Sequence, residues 1–316
     1  MAALRDERMN ETQPPTYPGS RVDPFLLATV VKIISPPTPH SPAALGTGFI
    51  VSYEGVWASK KQRLFFLITN KHVVGDWTLA DGDILEYRQS LQVSFYGGAG
   101  GAFTPISIPL LGPDGDLLPN CLRLDDDPKI DVAAVFLNET PIPAGSPPSV
   151  NSLDSSYLLP FDRITSWLTG LGDQVFALGY PLGITSAKTS YPIAKAGYLA
   201  ATPGEEFAID IPSASRNNTQ SSIRLEGKLL VVDGLIVPGN SGGPIVLPSD
   251  LKFRRDPVTN QLQFATQQIK NYVIGVVSMA IGQSGLALAY SSDYVLDLIN
   301  EFTTDLQAHS KQAEAA

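Results

Sequence analysis

The chain has 316 residues, 43% of them hydrophobic, which is enough for one large domain or two small ones with a substantial core. Its net charge of -9 and the lack of a Lys/Arg cluster argue against nucleic acid or a membrane surface as a partner. The single cysteine, Cys121, excludes an intramolecular disulfide. No apolar run is long enough for a membrane span, and no cluster of metal ligands is evident, so we expect no metal or cofactor.

The first residues predict a flexible tail. Residues 1–23 are polar, are interrupted by proline and contain no apolar segment typical of a signal peptide. A cytoplasmic location is therefore expected. Phe25–Ile34 then predicts the first strand, and a proline-rich loop follows it.

Short strands with frequent Gly and Pro turns continue along the chain, and this pattern predicts an all-β architecture. Gly46–Ser52 and Arg63–Asn70 predict a pair of strands that ends at His72, with Tyr53–Gln62 as an exposed loop between them. The polar tract Ala208–Arg224 predicts an inserted surface loop. The other predicted elements are strands at Leu85–Phe95, Ser107–Leu111, Asp131–Leu137, Asp173–Tyr180 and Tyr272–Val277, and a short helix or turn within Asp162–Leu171.

The periodicity changes near the C-terminus, where an amphipathic helix is predicted with Ser292 or Asp293 as its N-cap. We expect its apolar face to pack on the preceding strands, and a partner-binding helix is the alternative. This face consists of Val295, Leu298, Ile299, Phe302 and Leu306.

The most distinctive stretch is the glycine-rich loop Pro238–Pro244 between two apolar runs. Glycine tolerates positive φ and close backbone approach, so the chain can form a sharp loop with the Ser241 hydroxyl at its tip. The backbone N–H groups of Gly239 and Ser241 can then form an oxyanion hole, which stabilises charge that develops on a carbonyl oxygen. The alternative is a simple glycine-rich turn.

A serine nucleophile needs a base, and the chain contains three histidines. His40 lies in a proline-rich loop and His309 near the C-terminal end, whereas His72 follows an apolar strand that can hold it rigidly. Asp131 stands at the head of another apolar strand, where a buried carboxylate needs a partner. His72 and Asp131 are therefore the predicted partners of Ser241. A buried structural histidine is the alternative for His72.

The loop also fits G-x-S-x-G, the nucleophile motif of α/β-hydrolases. That motif requires a helix after the serine and a catalytic histidine further along the chain. Here Pro244 opens an apolar run that cannot start a good helix, and His309 is the only later histidine. We therefore reject the esterase or lipase interpretation.

Several motifs, in this order, resemble the trypsin/chymotrypsin-like serine peptidases, and most closely the HtrA-type bacterial enzymes, although we expect no PDZ domain. They are GTGF at 46–49, LITNKHVV at 67–74, DVAAV at 131–135, ALGYPLG at 177–183 and PGNSGGPIV at 238–246. The resemblance implies a chymotrypsin-like fold of two six-stranded antiparallel β-barrels with a C-terminal α-helix. The implied parts are a tail at 1–23, an N-terminal barrel at 24–150 with His72 and Asp131, a C-terminal barrel at 151–292 with Ser241, and a helix and tail at 293–316.

The resemblance also implies a function, that of a hydrolase. A serine endopeptidase of this kind cleaves peptide bonds through an acyl-enzyme on Ser241, with His72 as general base and Asp131 orienting it. Gly242 occupies the position where trypsins activated from a zymogen have an aspartate, so we expect no need for activating cleavage. The expected partner is a peptide or protein substrate, and the oligomeric state is open. The alternative function is a catalytically vestigial binding or scaffold protein of the same fold.

In the resembling family the floor of the primary specificity pocket lies six residues before the nucleophile, here Leu235. Its walls would come from Ser278, Met279 and Ala280 on one side and from near Gly285 on the other. The apolar floor and the methyl group of Ala280 predict that small or medium aliphatic P1 residues are preferred and that Arg and Lys are poor.

Overall fold

The computed structural model describes residues 21–57, 60–95, 105–138, 151–166, 169–185, 191–203, 207–214, 220–234, 236–249, 252–255, 259, 261–265 and 270–315. These residues form an N-terminal sheet, a closed C-terminal barrel and a long C-terminal helix, which confirms the predicted all-β class. The predicted tail at 1–23 lies outside the described residues except at 21–23. No helix in the described ranges has both the length and the apolar character needed to cross a membrane.

The N-terminal sheet has eight strands, and the predicted first barrel is a curled sheet rather than a closed six-stranded one. The elements are α1 (Pro24–Thr29), β1 (Val30–Ser35), β2 (Ala44–Trp57), β3 (Lys60–Thr69), α2 (Lys71–Val74), β4 (Gly75–Trp77), β5 (Ile84–Tyr87), β6 (Ser90–Ser94), β7 (Ile106–Pro109), β8 (Leu122–Leu124), β9 (Ala133–Phe136), β10 (Leu153–Asp154) and α3 (Phe161–Ser166). The sheet order is β7-β6-β1-β2-β3-β9-β8, β10 pairs with β2, and β4 pairs separately with β5.

The second half closes into a barrel of six strands in the order β11-β12-β15-β20-β19-β16, as predicted for the C-terminal barrel. Its elements are β11 (Gln174–Gly179), β12 (Ile193–Leu199), β13 (Phe207–Ala214), β14 (Gln220–Gly227), β15 (Leu229–Asp233), β16 (Pro244–Leu247), β17 (Lys252–Arg255), β18 (Leu262–Ala265), β19 (Tyr272–Ala280), β20 (Leu286–Ser291) and α4 (Ser292–Ala315). β13–β14 and β17–β18 are separate hairpins.

The core follows from the alternation of side chains along the strands. In β3, Leu67 packs inside the N-terminal sheet, whereas Phe66 and Ile68 face the other side and join the core shared with α4. The ring of Phe302 in α4 lies 5.6 Å from that of Phe66 and 5.0 Å from that of Phe136. The helix that follows the barrel therefore packs on the N-terminal sheet and holds the two halves together.

The prediction of a single strand at Phe25–Ile34 is wrong, because its first part is helical. Asp23 caps α1 by accepting the Phe25 N–H at 2.8 Å, and Pro24 suits the first helical position. The prediction of one strand at Leu85–Phe95 also fails: the chain turns between β5 and β6, where the Arg88 N–H bonds to the Val74 carbonyl at 2.9 Å.

Two predicted loops are instead strands. Within Tyr53–Gln62, β2 continues as far as Trp57 and β3 already begins at Lys60. Glu54 of β2 faces Arg63 of β3 across the pair. The tract Ala208–Arg224 forms most of the β13–β14 hairpin, because its Ile side chains lie on the face that packs onto the core. Residues 215–219 of that tract lie outside the described part.

The predicted C-terminal helix is present as α4, but its cap differs from the prediction. Ser292 and Asp293 lie inside its first turn. Ser291 takes the capping role, since its Oγ accepts the Asp293 N–H at 3.3 Å.

Candidate active site

Ser241 lies in a tight loop between β15 and β16. Before it, Val237–Asn240 forms a turn in which the Asn240 N–H donates to the Val237 carbonyl at 3.2 Å. Proline occupies the second position of this turn and Gly239 the third. The φ of Gly239 is 98°, which identifies a type II turn. After it, Gly242 has a φ of 84°, and a Cβ there would clash with the carbonyl oxygen of Thr47. The loop can therefore pack this closely on the N-terminal sheet only with glycine.

The two predicted oxyanion-hole donors are oriented by the carbonyls that precede them. The Pro238 carbonyl, which precedes Gly239, accepts a hydrogen bond from the Leu182 N–H at 2.8 Å. The Asn240 carbonyl, which precedes Ser241, accepts one from the Gly243 N–H at 2.9 Å. Because N–H and C=O point in opposite directions in a trans peptide, these bonds turn the N–H groups of Gly239 and Ser241 to the other side. Neither N–H has a partner among the described residues, so both can bind an oxyanion.

His72 and Asp131 are directly paired. His72 sits in α2, one turn after the end of β3, and its Nδ1 lies 2.7 Å from Asp131 Oδ2. Its backbone N–H donates to Asp131 Oδ1 at 3.2 Å, and Asn70 Nδ2 donates to the Asp131 carbonyl. Asp131 is fully buried, whereas the His72 side chain is 32% exposed. The carboxylate thus holds one edge of the imidazole and leaves Nε2 for another group.

The pKa of His72 is raised above its ordinary value. Burial lowers this pKa because it disfavours the imidazolium, and the charge of Arg88 lowers it further. The charge of Asp131 and its hydrogen bond to the ring outweigh both effects. In the neutral ring the proton on Nδ1 bonds to the carboxylate, which leaves a lone pair on Nε2. A general base requires that tautomer.

Ser278 in β19 connects this pair to Ser241. Its Oγ donates to Asp131 Oδ2 at 2.8 Å, and its carbonyl accepts the Ser241 hydroxyl at 3.1 Å. The three predicted triad residues therefore meet around one residue. Among the described residues, the Ser241 hydroxyl bonds to this carbonyl and not to His72.

The sequence placed Ser278 in the specificity pocket and gave no sign of its contact with Asp131. These two residues are 147 positions apart, and no local pattern encodes their pairing. The only available signal is that a buried carboxylate needs more than one donor.

The other predicted pocket residues are placed only in part. Leu235 lies outside the described residues. Met279 is half-buried and Ala280 is exposed at the end of β19, and Gly285 is exposed in the turn that follows. The Gly285 carbonyl accepts the Gly234 N–H at 3.1 Å, so this turn lies beside the segment that leads into the Ser241 loop.

A model of the trypsin-like peptidase domain family matches residues 46–252. No curated protein gives a significant match. Among solved structures, the chain is similar to the inactive form of the Rv3671c protease, with 17% identity, a TM-score of 0.42 and coverage of 88% of this chain and 90% of that one. It is also similar to the active form of the Rv3671c protease from M. tuberculosis, with 17% identity, a TM-score of 0.44 and coverage of 88% and 82%.

Proposed function

The chain belongs to the trypsin-like peptidase family, and from this premise we propose that it is a serine endopeptidase. Ser241 is the proposed nucleophile, His72 the general base and Asp131 the group that orients it. The observation that carries the proposal is the 2.7 Å hydrogen bond between His72 Nδ1 and the buried Asp131 carboxylate, beside a loop with two N–H groups that have no partner in the described part of the chain. The substrate class is peptide or protein.

In the proposed reaction, His72 Nε2 accepts the proton of Ser241 Oγ while Oγ attacks the carbonyl carbon of the peptide bond. The carbonyl oxygen becomes an oxyanion and binds the N–H groups of Gly239 and Ser241. The imidazolium, stabilised by Asp131, then gives its proton to the leaving amine as the C–N bond breaks. Water, deprotonated by His72, hydrolyses the remaining acyl ester and restores the Ser241 hydroxyl.

The position of the Ser241 hydroxyl favours a second candidate, a vestigial protein that binds peptides without cleaving them. Its bond to the Ser278 carbonyl must break before Oγ can reach His72. Free enzymes often show such loose catalytic contacts, which tighten when substrate binds. The complete set of triad residues and donors therefore favours the active enzyme over the vestigial one.

We also propose a preference for small or medium aliphatic P1 residues. Met279 and Ala280, at the end of β19, carry apolar side chains where the family resemblance puts one wall of the pocket. Asp233, the acidic residue nearest to the loop in sequence, is exposed at the end of β15 and is not turned inwards. A buried P1 cation would therefore lack a partner there.

Labelling of the full chain with a fluorophosphonate probe tests the function. The wild type and Ser156→Ala, which removes an exposed serine outside the loop, should be labelled on Ser241. Ser241→Ala and His72→Ala should not be labelled. A wild type that stays unlabelled while folded would exclude the active enzyme and leave the binding protein.

A further inference from the structure

Thr47, in the GTGF motif of β2, is a contact point between the N-terminal sheet and the Ser241 loop. It is fully buried, and its Oγ1 donates to the Gly239 carbonyl at 2.5 Å. The same Oγ1 accepts the Tyr180 N–H at 3.1 Å, and the Thr47 N–H donates to the Ser241 carbonyl at 2.8 Å. The hydroxyl therefore bridges two segments of the second barrel from a strand of the first sheet.

The bond to the Gly239 carbonyl fixes the peptide that lies between the two proposed oxyanion-hole donors. Glycine rotates more freely about its backbone bonds than any other residue. Without the Thr47 anchor, the Gly239–Asn240 peptide would rest on the 3.2 Å bond from the Asn240 N–H to the Val237 carbonyl. The ψ of Gly239, which sets the Ser241 N–H relative to that of Gly239, would then vary more widely. Leu182 and Gly243 anchor the neighbouring carbonyls through their backbone N–H groups. Thr47 supplies its anchor through a side chain, so a substitution can remove this anchor and leave those of Leu182 and Gly243 in place, although it also removes the hydroxyl that accepts the Tyr180 N–H.

We propose that Thr47 is a positioning residue of the oxyanion hole, which fixes the Gly239–Asn240 peptide through its hydroxyl. This inference rests on the proposed peptidase function. Thr47 does not touch the substrate, so its loss should weaken transition-state stabilisation and leave substrate binding intact.

The test compares kcat and KM for peptide hydrolysis by Thr47→Val, Thr47→Ser and the wild type. Thr47→Val keeps the shape and loses the hydroxyl, and we expect kcat to fall about 10²-fold at unchanged KM, near the loss for one oxyanion donor. Thr47→Ser keeps the hydroxyl and loses a methyl group near Gly243, so it should melt earlier but keep the wild-type kcat. Thr29→Val is the matched control, because Thr29 is a buried threonine whose hydroxyl donates within α1, to the Leu26 carbonyl at 2.8 Å, and not to the loop.

The outcomes separate this inference from the proposed function. If Thr47→Val retains the kcat of Thr29→Val, or if Thr47→Ser loses as much kcat as Thr47→Val, the positioning role is wrong although the peptidase stands. If the wild type shows no hydrolysis that depends on Ser241, both are wrong. If Thr47→Val fails to fold, Thr47→Cys decides, since its thiol is only a weak donor: a lower kcat at unchanged KM supports the role, and a wild-type kcat overturns it.

Discussion

Asp131 Oδ2 accepts a hydrogen bond from Ser278 Oγ at 2.8 Å, although Asp131 leads into β9 of the N-terminal sheet and Ser278 lies in β19 of the barrel. The same carboxylate oxygen bonds to His72, and the Ser278 carbonyl holds Ser241. The candidate triad is therefore assembled across the boundary between the two β-structures, and neither half contains it alone.

Ser278→Ala should weaken both folding and catalysis. It removes one donor from a fully buried carboxylate, and a hydrogen bond to a charged group contributes about 2 kcal/mol to the free energy of unfolding. The less constrained carboxylate should lower kcat by up to about 10²-fold through misplacement of His72. Urea denaturation and steady-state kinetics measure the two effects.

The matched control for that variant is Ser292→Ala. Ser292 is equally buried, but its Oγ donates to the neutral carbonyl of Leu159. We expect a loss of about 1 kcal/mol with normal kcat. Equal effects of the two substitutions on both quantities would show that the charge of Asp131 is not involved.

The rate should depend on pH through His72. Because the pKa of His72 is raised, the base becomes neutral only at a higher pH than an ordinary histidine, whose pKa is about 6.5. A plot of kcat/KM against pH should therefore rise with an apparent pKa above that value and reach a plateau on the alkaline side. An acidic optimum in a folded enzyme would rule out His72 as the base.

Asp293 should stabilise the start of α4 in a pH-dependent way. Burial raises its pKa, but hydrogen bonds from Lys228, Ser291 and the Phe161 N–H outweigh burial, so the pKa in the folded state is lowered. Its stabilisation is therefore present above the unfolded-state pKa of about 3.9 and is lost as the pH falls through the lower folded-state value.

The measurement is urea denaturation of Asp293→Asn between pH 7 and acid. The variant should be about 1–3 kcal/mol less stable at pH 7, and the difference should shrink as the pH falls. Asp305→Asn on the same helix, which removes a half-exposed pair with Arg123, should cost less than about 1 kcal/mol. A difference for Asp293→Asn that does not change with pH would contradict the assigned role of its charge.

A scan of P1 residues in a peptide library tests the specificity proposal. Val, Ala and Leu should be preferred with graded rates, because one methylene changes the activation free energy by only about 1–3 kcal/mol. Ala280→Gly should shift the preference towards larger P1 residues by removing a methyl group from the pocket entrance. Dominant cleavage after Arg or Lys would overturn this pocket while leaving the triad in place.

Motifs in the sequence predicted the class of fold and the pairing of His72 with Asp131, because each residue adjoins an apolar strand that must be buried. Local capping chemistry is also present in the sequence: Asp23 followed by Pro24 marks the start of α1, but the apolar run after it is equally typical of a strand. The roles of Ser278 and Thr47 could not be predicted in this way. Their contacts join residues far apart in the chain, and only the register of the folded strands brings them together.

Peptide hydrolysis by Ser241→Ala tests the central claim most directly. With Ser156→Ala as the folded control, kcat of Ser241→Ala should fall on the order of 10⁶-fold, as expected when the nucleophile of a serine protease is removed. An unchanged turnover in Ser241→Ala, with the fold intact, would contradict the proposed mechanism.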